Sequence, residues 1–485
     1  MNSKTHSASL LLVIPVVLVG CFKTENQTQT QTAASTQSLS PENLSRHTIE
    51  RRAVEAVIWG MPAVNYEMML QAGIRSKAGP NQIVFWSHLP NWKNQTLTPN
   101  PDAIYFMPFF NTKDAGPVVL EVPPAGDDGL INGNLDDTWQ VALEDVGPAG
   151  ADKGRGGKYL ILPPGYKDKV PGGYIVLPSD TYADFGLLRS ILKGGSQTDV
   201  AKAVAYGRRV KLYPLSQASH PPETKFVDVV DDLFDSTIPY DERFFESLNR
   251  MVQSEPWLER DRAMIDQLKS LGIEKGKPFA PGAPTQESLK QGALEAHAWL
   301  EANYEGVFKP SFYAGEQWAL PVSPEVVEGQ ANGYPQRDIY PIDARGITYF
   351  FAFIGAKRLG SGQYYLMTIK DSQGQSLDGS STYQLKVPAN VPITQYWSAT
   401  VYDRATHAFI RNMPYPSRSS QTPGLQKDAG GSVSIYFAPK APSGKESNWI
   451  PTDAKGKFEV MLRFYGPQKP LFDKTWKLPD IEKAN

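Results

Sequence analysis

Two sets of residues in this sequence carry side chains that could recognise or transform a small molecule. The first is Asp102, Tyr105 and Asp137, with Trp139 close by. The second is Trp397, Tyr402, Asp403, Asn448, Trp449 and Arg463. Aromatic side chains stack on the apolar faces of rings, while a carboxylate and a guanidinium fix hydroxyls or an anionic group. Asp102, Asp137 and Asp403 are also candidate acids or bases, with Tyr105 and Arg463 as charge stabilisers. Each has a structural alternative. Trp and Tyr fill sandwich cores and Arg–Asp pairs staple strands. Strand positions are half-buried by default, which favours structure for Trp397 and Arg463. Asn100-Pro101-Asp102 is a turn-forming string, so Asp102 could simply cap a turn. Asp136 and Asp137 on one strand would point to opposite faces, which argues against a paired acid–base role.

A third reactive group is the thiol of Cys21, the one cysteine among 485 residues. It ends the string Leu18-Val19-Gly20-Cys21, after a short polar start with Lys4 and an apolar run from Ala8 to Val19. A charged start, an apolar stretch and small residues at a cleavage point make a secretory leader. The string resembles the lipobox of bacterial lipoprotein signal peptides. That resemblance implies diacylglycerol on the Cys21 thiol and cleavage just before it. The apolar run is shorter than the roughly 20 residues a bilayer span needs. More than one acyl chain gives stable anchoring. The expectation is a signal peptide over 1–20 and a membrane-anchored, extracytoplasmic lipoprotein. The absence of Asp after the cysteine points to the outer membrane, facing the periplasm. Thr24 to Ser40 is rich in Thr, Gln, Ser and Ala and reads as a flexible tether, so 21–40 links lipid to body.

With Cys21 used in this way, disulfides, zinc–thiolate sites and cysteine nucleophiles are excluded. The formal net charge is −2 and evenly spread, with no basic stripe for nucleic acid. No Gly-x-Ser-x-Gly elbow and no phosphate-binding glycine loop in a strand-to-helix context occurs. Ser190-Ile191-Leu192-Lys193 fits Ser-x-x-Lys but lacks the motifs that accompany it in β-lactamases. Beyond His6 the histidines are His47, His88, His220, His297 and His407, too scattered for a local metal box. No metal and no cofactor is expected. The acidic run Asp228 to Asp235 has helical spacing and reads as a solvated face.

The elements that must position these residues are legible in part. Leu44 to Gln71 has helical periodicity, with Pro62 expected to kink or end it. From Ile83 to about Ser179, short apolar runs closed by Pro, Gly, Asn and Asp read as strands: Ile83–Trp86, Pro117–Pro123, Lys158–Pro163 and Tyr174–Pro178. Helices are expected over Thr198–Val210, along the stripe Phe226, Val229, Val230, Leu233 and Phe234, over Asp241–Val252, over Trp257–Leu271 with Gly272 as cap, and over Thr285–Asn303. Strand grammar returns at Tyr364–Asp371, Thr382–Val387, Gln395–Tyr402, Ser432–Phe437 and Lys457–Tyr465. The fold class is mainly β with helical additions, α+β: two antiparallel β-sandwich domains linked by a helical insert. Their boundaries are 41–215 with a leading helix, 216–339 for the insert and linker, and 340–485.

Ala53-Val54-Glu55-Ala56-Val57-Ile58-Trp59-Gly60-Met61-Pro62, Asn100-Pro101-Asp102-Ala103-Ile104-Tyr105 and Gly116-Pro117-Val118-Val119-Leu120 resemble the bacterial family DUF1254. Asp371, Gly374, Leu377, Gly379, Tyr383, Pro392, Trp397-Ser398, Tyr402-Asp403, Asn412, Asn448-Trp449 and Arg463-Phe464-Tyr465 resemble DUF1214. The resemblance implies two β-sandwich domains with helical additions. It also shows a departure: the family usually has Thr where this chain has Ala103, one hydroxyl fewer.

Two functions follow as expectations. One is a membrane-anchored binding protein that takes a small or glycan-like envelope ligand in a cleft between the two β domains. The other is a thiol-independent hydrolase of an envelope or nutrient molecule, using carboxylate chemistry. The expected partners are the membrane, through lipidated Cys21, and that ligand. Nucleic acid is not among them, and oligomeric state is left open.

Overall fold

A computed structural model describes residues 40–352 and 355–484. Cys21, the leader and the tether lie outside the described residues. The first described element is the helix Pro41–Arg75, which runs through Pro62 without a break. This corrects the expected stop. Proline removes one N–H and crowds the carbonyl four residues back, yet the turns from Ala56 to Glu67 are buried on every side. A later helix, Ile342–Phe351, closes on the exposed carbonyl side: a Cβ on Gly346 would fall 2.8 Å from the Ile58 oxygen. Gln140 donates its amide to the Pro62 carbonyl at 3.0 Å. Packing therefore outweighs the local penalty.

Strands follow as β1 (Gln82–Phe85), β2 (Asn94–Gln95), β3 (Ile104–Asn111), β4 (Val118–Val122), β5 (Ile131–Asp137), β6 (Ala142–Val146), β7 (Gly157–Leu162), β8 (Ile175–Pro178), β9 (Ala183–Ser190), β10 (Lys211–Pro214), β11 (Phe226–Asp228) and β12 (Phe234–Asp235). They form a six-stranded sheet, β11-β1-β3-β9-β5-β6, a four-stranded sheet, β10-β4-β7-β8, and the short pair β12-β2. Phe85, Ile104, Phe106 and Leu188 of the larger sheet pack on Val118, Leu120, Tyr159 and Ile161 of the smaller one. The other face of the six-stranded sheet carries Tyr105, Met107, Phe109, Phe185 and Leu187 into a second core shared with the helices.

The second β region holds β13 (Gln363–Thr368), β14 (Tyr383–Val387), β15 (Trp397–Asp403), β16 (Ser417–Ser419), β17 (Val433–Ala438), β18 (Trp449–Pro451), β19 (Phe458–Tyr465) and β20 (Glu482–Lys483). Two sheets result, β13-β19-β15-β16 and β18-β17-β14-β20. They enclose Leu366, Trp397, Ala399, Leu462 and Phe464 against Leu385, Ile435 and Phe437. The fold is α+β with mostly antiparallel sheets and, among the described residues, no closed barrel. From Ile49 onward the chain clusters as one unit.

The helices Gln197–Gly207, Glu242–Ser254, Arg262–Ser270 and Ala283–Tyr304 lie close to their expected places. The stripe from Phe226 to Phe234 does not form a helix. It is split between β11, parallel to β1, and β12, parallel to β2. Its acidic residues explain the difference. Asp228 accepts from the backbone of Ser87 at 3.1 Å and of Val230 at 3.2 Å, a local bond that competes with a helical ladder. Only Val229 and Phe234 of the stripe are fully buried, and Leu233 is 46% exposed.

Candidate functional site

Strand alternation decides which of the candidate residues can meet. In the sheet β13-β19-β15-β16, Tyr365, Arg463, Ser398 and Ser419 lie side by side in one cross-strand row. Thr400 and Tyr402 share that face, because side chains alternate with period two. Trp397, one residue from Ser398, points the other way into the sandwich core. In the six-stranded sheet, Tyr105, Arg189 and Asn132 form a corresponding row. Residues 98–102 run between the two rows and are bonded to both β regions.

Arg463 donates to the Thr98 carbonyl at 2.7 Å, to the Pro99 carbonyl at 3.2 Å and to the Thr400 hydroxyl at 2.9 Å. The Tyr402 hydroxyl donates to the Pro99 carbonyl at 2.7 Å. Asn100 donates its backbone N–H to the Tyr105 hydroxyl at 2.8 Å and its side-chain amide to Tyr396 at 2.9 Å and Tyr465 at 2.7 Å. Arg189 lies over the Tyr105 ring, 5.4 Å from its centroid, and Arg463 over Tyr365 at 5.2 Å and Tyr402 at 5.6 Å. The two arginines are 6% and 2% exposed. Arg189 Nε and Nη1 and Arg463 Nε have no hydrogen-bond partner among the described residues.

Asp102 is delivered by this loop. Its N–H donates to Asn100 Oδ1 at 3.0 Å, so Asn100 makes the turn that was the structural alternative for Asp102. The Asp102 carboxyl stands near Ser417, Ser419 and Ser398, and the Ser398 Oγ has no hydrogen-bond partner of its own. Burial pushes the Asp102 pKa up, and the three hydroxyls with Arg463 pull it back. Its Oδ2 is sealed from solvent and has no hydrogen-bond partner. Above it is a cleft of about 260 Å³, lined by Leu89, Pro90, Asn91, Pro101, Asp102, Leu192 and Gly195 on one side. Tyr415, Pro416, Ser417, Ser419, Gln421 and Pro423 line the other. The two sides clasp at one point: a Cβ on Gly195 would overlap the Gln421 carbonyl, and the Gln421 amide donates to Leu192 at 3.0 Å. A larger depression of about 730 Å³, bounded by Glu121, Arg208 and Lys211, belongs to the first β region and its adjoining segment alone.

The structure thus brings Asp102, Tyr105, Tyr402 and Arg463 together and disperses the rest. Asp137 accepts from the Val141 N–H at 2.8 Å and closes the β5–β6 turn. Burial raises its pKa to about 6, opposed by Arg260. It stands five residues along β5 from Asn132, roughly 17 Å at strand spacing. Asp403 stands five residues along β15 from Ser398 and caps the turn at Ala405 at 2.7 Å and Thr406 at 3.2 Å. The three acids do not form one catalytic group. Asn448 is a buried staple, bonded to the Gln426 N–H and carbonyl and to the Ser434 carbonyl. Trp449 donates to the Ala438 carbonyl at 2.8 Å and backs the Tyr415 ring edge-on at 5.8 Å. Arg418 covers that ring at 3.6 Å. Trp449 supports the cleft wall without lining it.

Sequence reasoning missed Arg189, Asn100, Tyr415, Ser417 and Ser419. A lone Arg within Leu187-Leu188-Arg189-Ser190 was a usable signal, since an unpaired charge in a buried strand requires partners. Among the described residues, no group of His, Cys, Asp and Glu is arranged to hold a metal ion. No described helix is long and apolar enough to cross a membrane.

The protein class follows from comparison of these two β regions with known families. Residues 80–214 match the family described as a protein of unknown function, DUF1254, and residues 362–469 match another so described, DUF1214. The chain belongs to the DUF1254/DUF1214 domain-containing proteins. The cleft has walls from both matched segments. Among solved structures, the VPA0106 protein of Vibrio parahaemolyticus is similar in fold, with 18% identity, a TM-score of 0.55 and coverage of 90% of this chain and 100% of that one. An uncharacterized protein from Burkholderia cenocepacia aligns at 11% identity and TM-score 0.41, over 94% and 98% of the two chains. No curated protein matches the chain.

Proposed function

We propose that the cleft above Asp102 binds a small, hydroxyl-rich, glycan-like ligand of the cell envelope. The observation that carries this reading is Asp102, which lines the cleft and whose buried Oδ2 has no hydrogen-bond partner. A carboxylate accepts hydroxyl donors, and the Ser417 and Ser419 hydroxyls can both give and accept. The prolines and the Tyr415 ring supply flat apolar faces of the kind on which sugar rings stack. Arg463 favours the charged form of Asp102 from behind. Among the described residues lining the cleft, Asp102 is the one carboxylate. Carboxylate-driven glycoside hydrolysis uses a pair, so binding is favoured over the hydrolase alternative.

The same proposal places the protein at a membrane through acylated Cys21, with the tether 21–40 carrying the folded body into the periplasm from the outer membrane. Mass spectrometry of the mature N-terminus and fractionation with a Cys21→Ser variant test the address. An unmodified N-terminus on the native product overturns it.

Titration calorimetry against a panel of monosaccharides, oligosaccharides and cell-wall fragments tests the cleft. At least one should bind, and Asp102→Ala should weaken that binding about tenfold or more, the loss of one charge-assisted hydrogen bond. A blank panel, or binding unchanged in Asp102→Ala, overturns the reading.

A further inference from the structure

A second cavity, of about 420 Å³, opens between the helix Pro41–Arg75, β3 and the C-terminal end of the helix Glu242–Ser254. Its walls are apolar, chiefly Leu70, Ile74, Pro80, Phe109 and Met251. Tyr66 lines it too and is 1% exposed. The ring is fixed by Phe185 at 5.5 Å and Phe109 at 6.3 Å. The Tyr66 hydroxyl has no hydrogen-bond partner among the described residues. A buried hydroxyl left unpaired costs roughly 1–3 kcal/mol, and here it belongs to a residue bordering a ligand-sized space.

The polar neighbours narrow what could pair with it. Glu255 and Glu67 also line the cavity, and both carboxyls are engaged. Glu255 accepts from the Tyr182 N–H at 2.6 Å and the Ala183 N–H at 3.3 Å. Glu67 accepts from Arg250 at 2.5 Å and Gln71 at 2.9 Å. Burial, then Glu255, Glu67 and Asp184, hold the Tyr66 phenol far above its ordinary pKa, so it stays a neutral donor and acceptor. Glu255, Glu67 and Asp184 disfavour an anionic head at the inner end, and Lys113, which also lines the cavity, is engaged by the Ser254 carbonyl at 3.4 Å and the Tyr182 ring at 5.7 Å. Arg250 already pairs with Glu67, and both Glu255 oxygens accept from backbone N–H groups, so an ammonium group meets carboxylates whose charge is already compensated. A neutral hydroxyl suits Tyr66, because each hydroxyl can donate to the other or accept from it.

We infer that this cavity is a binding site for an apolar molecule bearing one neutral hydroxyl, an alkanol or an alkylphenol, with that hydroxyl on Tyr66 and its hydrocarbon body along Leu70, Phe109 and Met251. The site is separate from the Asp102 cleft and shares no lining residue with it.

Calorimetry on the full chain with 1-octanol, 4-propylphenol, 4-propylanisole, 4-propylbenzoate and octylamine tests it. At least one of the two alcohols should bind, each more tightly than the anisole, benzoate or amine. Tyr66→Phe should weaken alcohol binding about tenfold, the worth of one buried hydrogen bond, and leave the anisole unchanged. Leu70→Trp, at a half-buried position on the cavity wall, should abolish binding of every probe and keeps the test decisive if Tyr66→Phe fails to fold. Alcohol binding unaltered by Tyr66→Phe or by Leu70→Trp, equal affinity for phenol and anisole, preference for the benzoate or amine, or no binding at all would each overturn the inference.

Discussion

Arg463, on the last long strand, donates to the carbonyl of Thr98 at 2.7 Å, 365 residues earlier in the chain. The contact fastens the loop carrying Asp102 to the second β region. It also explains how a fully charged side chain can be 2% exposed in a sheet: two backbone carbonyls and one hydroxyl accept from it.

Arg463→Met keeps the length and removes those donors. The Thr98 carbonyl then loses its guanidinium and the Thr400 hydroxyl its partner. A stability loss of about 3 kcal/mol is expected, read as a lower urea midpoint with unchanged slope. Any ligand of the Asp102 cleft should lose affinity in the same variant. A midpoint equal to the parent's would show that the fastening adds nothing.

Trp397→Ala should separate core from site. The ring lies in the sandwich core, 5% exposed, on the face opposite Ser398 and Arg463. Truncation is expected to cost about 3–5 kcal/mol while ligand affinity, measured below the melting range, stays within about twofold. A selective loss of binding with stability intact would return Trp397 to the list of ligand contacts.

Gly346→Ala probes the close approach over Pro62. The added Cβ would sit 2.8 Å from both the Ile58 carbonyl and its side chain. Overpacking of about 1–3 kcal/mol is expected, visible as a lower thermal midpoint. A neutral or stabilising result would mean that the helix Ile342–Phe351 can shift without cost.

Stability should fall as pH rises through the neutral range. Burial lifts Asp137 from 3.8 to about 6 and Glu255 from 4.5 to about 7. Both folded-state values lie above the unfolded ones, so the folded chain holds these protons more tightly. The stability they contribute is complete below pH 3.8 to 4.5 and is lost as pH climbs past about 6 and about 7. Glu255→Gln removes the later of the two titrations, because one amide oxygen can still accept from Tyr182 and Ala183. Urea melts between pH 5 and 8 should give a flatter profile for the variant. An identical slope would contradict the assignment.

Much of the architecture can be read from residue patterns because turn residues bound its strands so sharply. Pro117 and Pro123 bracket β4, and Pro163 follows β7. β3 escaped notice as a strand because Pro108 lies inside it and would normally exclude a central position. The structure tolerates it because the β3–β9 register is the same at Phe106–Leu188 and Phe109–Phe185, and Gly186 leaves room for the ring. The stripe from Phe226 to Phe234 misled because its spacing fits a helix while its aspartates bond locally. For the site, residue type identified Asp102, Tyr105, Tyr402 and Arg463, but only cross-strand register separates Arg463 from Trp397. Arg189 stands out as a lone charge in an apolar run, but its place beside Tyr105 follows only from the pairing of β9 with β3.

The loop from Thr98 to Asp102 is made early in translation, and its fastenings, Tyr402 and Arg463, come from the final fifth of the polypeptide. A nascent or truncated chain ending before Phe458 therefore carries this loop with the Thr98 carbonyl lacking its arginine. Its cleft has no settled floor, so the binding proposed at Asp102 would have to await the docking of the last long strand.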